Sequence, residues 1–147
     1  MITRRIAQRD DRTILRIVRN ELLPYTERTM PGITVDRQTL SKRLSEGTTF
    51  VLLRKGIQPV GFVCCLLRGK TLNIDMLAVD RHAQGRGLGS RLMEAAESFG
   101  RRNKCTKAVL YVDQANRGAQ RFYVRKGYVT RQYIDQYDTY ELEKPLR

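Results

Sequence analysis

Three glycines stand at alternate positions, Gly85, Gly87 and Gly89, within the stretch "QGRGLGSRLMEA" that runs from Gln84 to Ala95. They lie directly in front of an amphipathic run, where a helix must start. A helix start leaves its first N–H groups unpaired and carries partial positive charge, so it attracts anions. Glycines there remove the Cβ atoms that would hold a bulky anion away from those groups. Arg81, Arg86 and Arg91 add charge around the same turn. The chemistry this predicts is a phosphate cradle, fed by the apolar run "LNIDMLAV" as its strand. A tight turn with no ligand is the plainer alternative. Against it, each glycine costs about 1 kcal/mol relative to alanine inside a helix, a poor use of three.

Two well-known phosphate loops are excluded by the spacing. A Walker loop needs Gly-Lys-Ser/Thr, which is absent. The dinucleotide fingerprint needs glycine at its sixth position, and counted from Gly85 that position is Ser90. His82 is the only histidine, so a Ser–His triad or a His-rich metal site would rest on one loop residue. Cys64, Cys65 and Cys105 are odd in number and lack CxxC spacing, which argues against a disulfide framework and against zinc. No metal is expected. Cys64 and Cys65 are adjacent in a strand-like run and should face opposite ways.

The elements that must position the loop can be read from periodicity. "ITRRIA" predicts a short strand. Asp10 and Asp11 read as the cap of a helix in which Ile14, Val18 and Leu22 recur one turn apart, ending near Pro24. "YTERTMPGIT" reads as a loop, and a second helix runs from a capping Asp36 through Leu40 and Leu44 to Gly47. "TTFVLLR", "VGFVCCLLR" and "LNIDMLAV", separated by turn material, predict an antiparallel meander. Beyond the glycines, Leu88, Leu92, Ala96 and Phe99 mark one face of a helix reaching Arg102. "AVLYV" is a buried strand. Asn116 then opens a shorter helix with Ala119, Phe122 and Tyr123 inward, stopped by Gly127, and "YVTRQY" and "DTYEL" close the chain as strands. The expected fold is α/β, a mixed, mostly antiparallel central sheet with helices on both faces and one right-handed parallel crossover into "AVLYV". Residues 1–147 are expected to form a single domain.

The chain carries 28 Lys and Arg against 15 Asp and Glu, a net charge of +13. That balance suits nucleic acid, an acidic membrane surface, a phosphorylated cofactor, or simply a well-solvated surface. "GRRNK" at the end of the long helix supports a nucleic-acid-binding module. No helix-turn-helix, zinc finger or aromatic ribonucleoprotein motif accompanies it, so nucleic acid is disfavoured as the main ligand. No apolar stretch of about 18 residues exists, and "MITRRIAQRDDR" lacks the apolar segment of a secretory signal. A cytoplasmic protein without a membrane partner is expected.

With these residues in place, the sequence resembles a family. "LAVDRHAQGRGLGSRLM" is similar to the acetyl-CoA signature of the GNAT acyltransferases, Gln/Arg-x-x-Gly-x-Gly/Ala, matched by Gln84, Gly87 and Gly89. "NRGAQRFYVRKGY" resembles the family's Asn-x-x-Ala-x-x-Phe/Leu-Tyr-x-x-x-Gly-Phe/Tyr pattern, supplied by Asn116, Ala119, Phe122, Tyr123, Gly127 and Tyr128. The order of elements agrees along nearly the whole chain.

The resemblance implies an acetyl-CoA-dependent N-acetyltransferase acting on a primary amine of a small molecule or peptide, as a monomer or homodimer. It implies that the backbone of Leu77, Ala78 and Val79 holds the pantetheine arm. The amides of Gln84, Gly85, Arg86, Gly87, Leu88, Gly89 and Ser90 would take the pyrophosphate, and Asn116 would touch the pantetheine. The amine would attack the thioester directly, with a strand N–H near Leu77 or Ala78 facing the oxyanion. Tyr123 matches the general acid that protonates the departing thiolate; its other reading is one more aromatic on a buried helix face. Where histone-type members carry a glutamate, eleven residues before the glutamine, this chain has Asn73, which cannot take a proton. Asp75, on the same strand face, is the candidate base, directly or through water, or else a strand-end carboxylate. The resemblance also implies that "ELLPYTERTMPGIT" forms one wall of the acceptor cleft, where Glu21 and Glu27, among Tyr25 and Met30, could hold a cationic amine or pair with Arg19 or Arg28. Tyr133, Asp135 and Tyr137 are expected on the opposite wall of the acceptor cleft. A non-catalytic acyl-CoA-binding regulator would keep the glycine loop without needing Tyr123.

Overall fold

The apolar runs of the middle of the chain become the centre of the sheet. In the computed structural model, which describes residues 1–147, β2 (Thr48–Arg54), β3 (Gln58–Arg68) and β4 (Thr71–Val79) pair antiparallel in sequence order. With β1 (Ile2–Arg4), β5 (Lys107–Asp113), β6 (Val129–Ile134) and β7 (Thr139–Pro145) they form one seven-stranded sheet of order β1-β2-β3-β4-β5-β7-β6. Only β4 and β5 run parallel, joined by helix α4 (Leu88–Arg102). The mixed, mostly antiparallel α/β architecture expected from the sequence is the one observed.

Each face of the sheet buries a separate core. On one, α1 (Ala7–Ile17) and α3 (Arg37–Glu46) cover Val51, Leu53, Phe62 and Cys64. On the other, α4 and α5 (Arg117–Arg125) cover Phe50, Leu52, Val63 and Cys65. Cys64 and Cys65 thus fall on opposite faces, as strand alternation requires.

The first helix departs from expectation at both ends. It starts at Ala7 with Ile6 as its cap, so Asp10 and Asp11 lie inside it and not in front of it. Both are buried, at 0% and 1% exposure, because each has a cation: Arg9 donates to Asp10 at 2.6 Å and Arg5 donates to both oxygens of Asp11 at 2.6 Å. The Asp10 carboxylate also accepts from the Ile6 N–H at 2.8 Å, capping the helix from within. Nor does the helix stop at Pro24. A π-helical turn, Val18–Leu22, leads into α2 (Leu23–Thr29), with Pro24 in the first turn where its missing N–H costs nothing. Much of the expected loop is therefore helical. The second predicted helix is α3, capped as expected by Asp36, which accepts from the Thr39 N–H at 2.7 Å.

Candidate active site

β4 pairs with β5 only through Thr71–Ile74 and Lys107–Leu110. Beyond that point β4 stays with β3, β5 stays with β7, and the two central strands part. The parting coincides with a β-bulge: Cys64 pairs with Met76 and Cys65 with Ile74, leaving Asp75 unpaired. The extra residue switches faces. Leu72 and Ile74 face α4, whereas Met76 and Ala78 join the core under α1 and α3. Leu77, Ala78 and Val79 are left with no strand on their β5 side.

Two cavities meet in this gap. One, of about 490 Å³, runs from Leu77–Val79 to the glycine loop and Phe122. The other, of about 400 Å³, is mostly apolar, with Leu22, Ile33, Val35, Met76 and Val112 in its wall beside Arg43 and Asp75. Tyr25, Leu77, Asn116 and Tyr123 line both.

The glycine loop is built by local geometry. Asp80 accepts from the His82 N–H at 3.1 Å and starts a short 3₁₀ turn, Arg81–Ala83. That hydrogen bond, aided by Arg16, holds the Asp80 carboxyl below its ordinary value. Gly85 (φ +79°) and Gly87 (φ +75°) then take the left-handed conformation. A Cβ on either would meet no atom within 4 Å, so it is backbone conformation and not packing that asks for glycine. Gly89 differs, since its Cβ would stand 3.3 Å from the Phe122 ring, where α4 approaches α5. Gly87 caps α4 without a side-chain hydrogen bond, and the N–H groups of Leu88, Gly89 and Ser90 find no protein acceptor. Free amides, no intervening Cβ, exposed Arg86 and Arg91, and Arg125 in the cavity wall together fit a pyrophosphate-bearing ligand. The Gln84 side chain braces the loop instead of pointing a donor into it, giving its amide to the Val79 carbonyl at 2.9 Å. Glu21 joins the same brace and pairs with Arg81 at 3.2 Å, not with Arg19. Arg19 donates to the Val35 carbonyl, and Arg28 pairs with Asp113 at 3.3 Å.

Asn116 caps α5, its side-chain oxygen accepting from the Ala119 N–H at 3.1 Å. The helix directs Tyr123 into the gap. Its ring packs edge-on against Phe122 and Tyr128, with centroids 5.2 and 5.8 Å away, and the residue is 7% exposed. The hydroxyl has no partner in the protein, and burial pushes the phenol well above its ordinary value of 10. A protonated donor therefore faces both cavities. Tyr128 is used differently: its hydroxyl donates to buried Glu97 at 2.9 Å, and Lys144 holds the other oxygen at 2.8 Å, tying α4 to β7. Asp75 does line the second cavity, but Arg43 grips both its oxygens, at 2.8 and 2.9 Å. A carboxylate has about four lone-pair sites, so two stay open.

The expected opposite wall is not where Tyr133, Asp135 and Tyr137 lie. None of them lines either cavity; Tyr133 and Tyr137 are exposed, and Tyr133 hydrogen-bonds Asp138. From that segment only Thr139 reaches the cleft. Leu22 and Tyr25, from the stretch expected as one wall, do line the cleft, although that stretch is largely helical. Arg43 was not foreseen, since nothing local announces that it meets a carboxylate 32 residues away.

Residues 15–128 match the model of the Acetyltransferase (GNAT) family. The chain belongs to that family. Among solved structures, GNAT-like folds superpose over essentially its whole length. Ard1 from Thermoplasma volcanium aligns with a TM-score of 0.85 at 22% identity, covering 100% of this chain and 97% of that one. The PaiA N-acetyltransferase of Thermoplasma acidophilum, in complex with coenzyme A, gives 0.78 at 16%, covering 99% of each. The ribosomal-protein-S18-alanine N-acetyltransferase of Escherichia coli gives 0.79 at 16%, covering 99% and 93%. At such identities the likeness is one of fold. No curated protein matches the sequence.

Proposed function

We propose that residues 1–147 act as one N-acetyltransferase domain that moves an acetyl group from acetyl-CoA to a primary amine of a small molecule or peptide. The observation that carries this is the parting of β4 and β5 beside the glycine loop, with the hydroxyl of Tyr123 at the junction. Bound acetyl-CoA supplies an activated acyl carbon as a thioester, open to direct attack by a neutral amine.

The chain's own residues do the rest. The unpaired backbone of Leu77, Ala78 and Val79 holds the pantetheine arm as an added strand would, and Asn116 touches it from α5. The N–H groups from Gln84 to Ser90 take the pyrophosphate. The amine enters from the apolar cavity, and a β4 N–H at Leu77 or Ala78 donates to the carbonyl oxygen as its charge grows. As the C–N bond forms and the C–S bond breaks, Tyr123 gives its proton to the departing sulfur. Asp75 receives the proton of the amine, directly or through one water, on the lone pairs that Arg43 leaves free. Asp75 lies on the acceptor side of the gap, which supports that role.

No helix is long and apolar enough to cross a membrane, and the three cysteines are buried thiols, with Cys65 pushed up to about 12 by burial. A cytoplasmic enzyme suits both. A turnover screen across polyamines, amino acids, aminoglycosides and peptides, read by thiol release, tests the proposal. Release with no acceptor class above the hydrolysis background would leave a binding protein, not a transferase.

A further inference from the structure

Part of the charge excess is neutralised by ion pairs. Arg5, Arg9, Arg16, Arg28, Arg43 and Arg81 each hold a carboxylate. Among the cations without a carboxylate partner, four stand together at the end of the sheet farthest from the glycine loop. There Arg68 ends β3 and Lys70 stands in the turn to β4, while Arg102 ends α4 and Lys104 stands in the loop to β5. The Thr106 N–H donates to the Lys70 carbonyl at 2.8 Å, so the two basic segments are joined side by side. All four cations are exposed, and none forms a salt bridge. Two of the carboxylates on the adjoining helix and strand are already taken. Glu97 is held by Lys144 and Arg101, and Glu143 by Lys107 and Arg131.

We propose that this basic end is a docking face for the phosphate backbone of a nucleic-acid double helix. It is a second site, independent of acetyl transfer. β4 has nine residues, which puts the two ends of the sheet roughly 26 Å apart. Another unpaired row, Arg117, Arg121 and Arg125 along α5, flanks the cavity on the coenzyme side and belongs to the site already described. The basic turn and loop carry no aromatic side chain on which an unpaired base could stack, which favours duplex phosphates over a single strand. Leu67 is their one exposed large apolar side chain, too little to anchor in a bilayer.

Duplex binding by the full chain, with coenzyme A at saturation to occupy the glycine-loop side, tests this. Fluorescence anisotropy would use RNA and DNA duplexes of about 20 base pairs, a single strand and phosphatidylserine vesicles, from roughly 50 to 200 mM salt. Four phosphate contacts predict a slope of log affinity against log salt of about −3.6 on duplex DNA. Replacing both Arg102→Gln and Lys104→Gln should flatten the slope by about 2 and weaken binding to every sequence alike. Lys55→Gln, in the β2–β3 turn at the other end of the sheet, should change neither. Tighter RNA than DNA binding would identify RNA as the source of the phosphates; equal affinity would mean any duplex. No duplex binding, loss of it when coenzyme A is added, a slope untouched by the double variant, or preference for the single strand or vesicles would each overturn the proposal. Thermal melts with acetyl-CoA on the same variants report the coenzyme site separately, and an undiminished shift there also shows that the variants are folded.

Discussion

Replacing Tyr123 by Phe isolates the proton from the ring that carries it. The hydroxyl has no protein partner, so its removal orphans nothing, and stability should change by less than about 1 kcal/mol. The edge-on contacts with Phe122 and Tyr128 are kept. If Tyr123 protonates the leaving sulfur, kcat should fall by roughly 10²–10⁴-fold, while acetyl-CoA affinity stays close to wild type. The loss is smaller if protonation is not rate-limiting, since coenzyme A is a tolerable leaving group. Because burial raises the phenol above its ordinary value of 10, wild-type activity should show no loss of this acid through neutral and mildly alkaline pH. Tyr123→Ala instead empties a buried site and should cost about 3–5 kcal/mol, lowering the melting temperature along with the rate. Steady-state kinetics of both variants, on an acceptor from the turnover screen, with melting curves alongside, separate the two roles. A Phe variant with wild-type kcat would remove Tyr123 from the mechanism and leave it as packing.

Acetyl-CoA at a hundredfold excess over its Kd should stabilise the fold by about 2.7 kcal/mol; an absent melting shift, or an equal one with NAD and ATP, would refute the cradle. Gly87→Val should weaken coenzyme binding, but the left-handed φ of +75° also costs a side chain about 1–2 kcal/mol, so affinity must be measured on protein shown to be folded. Unchanged affinity there would mean that the glycine serves the turn alone. Asp75→Asn should lower kcat if Asp75 takes the amine proton; a lower melting temperature with kcat unchanged would reduce it to a partner for Arg43. For Asp11, burial opposes the charged form, yet hydrogen bonds from Arg5 and Ser41 outweigh it and hold the carboxyl below its ordinary value of 3.8. Its contribution to stability is therefore complete above 3.8 and disappears as pH falls through the lower folded value, and acid melts of Asp11→Asn should lack that component.

Local chemistry was enough to locate most of this protein in its sequence. The short apolar runs "TTFVLLR" and "VGFVCCLLR", the Asp36 and Asn116 caps, and the glycines at 85 and 87 act within a few residues of themselves, and each appears in the structure where the sequence put it. The proposed coenzyme side of the site is legible for the same reason: a strand, a turn that needs left-handed φ and a helix start are contiguous in the chain. The acceptor side is not. Its wall is assembled from the π-helical turn, α2, α3, β4, β5, α5 and the start of β7, and the sequence could not say that Asp10 and Asp11 were buried partners of Arg9 and Arg5, or that helix continued through Pro24. β4 shows the limit most clearly. Its burial alternates without a break from Thr71 to Val79, as the sequence alone would suggest. Yet the bulge at Asp75 hands Ile74 to one core and Met76 to the other, turns the carboxylate toward Arg43 and lets β5 part from β4. A bulge is set by the register against a neighbouring strand and by which helix waits on each face, and both are decided only when the chain has folded.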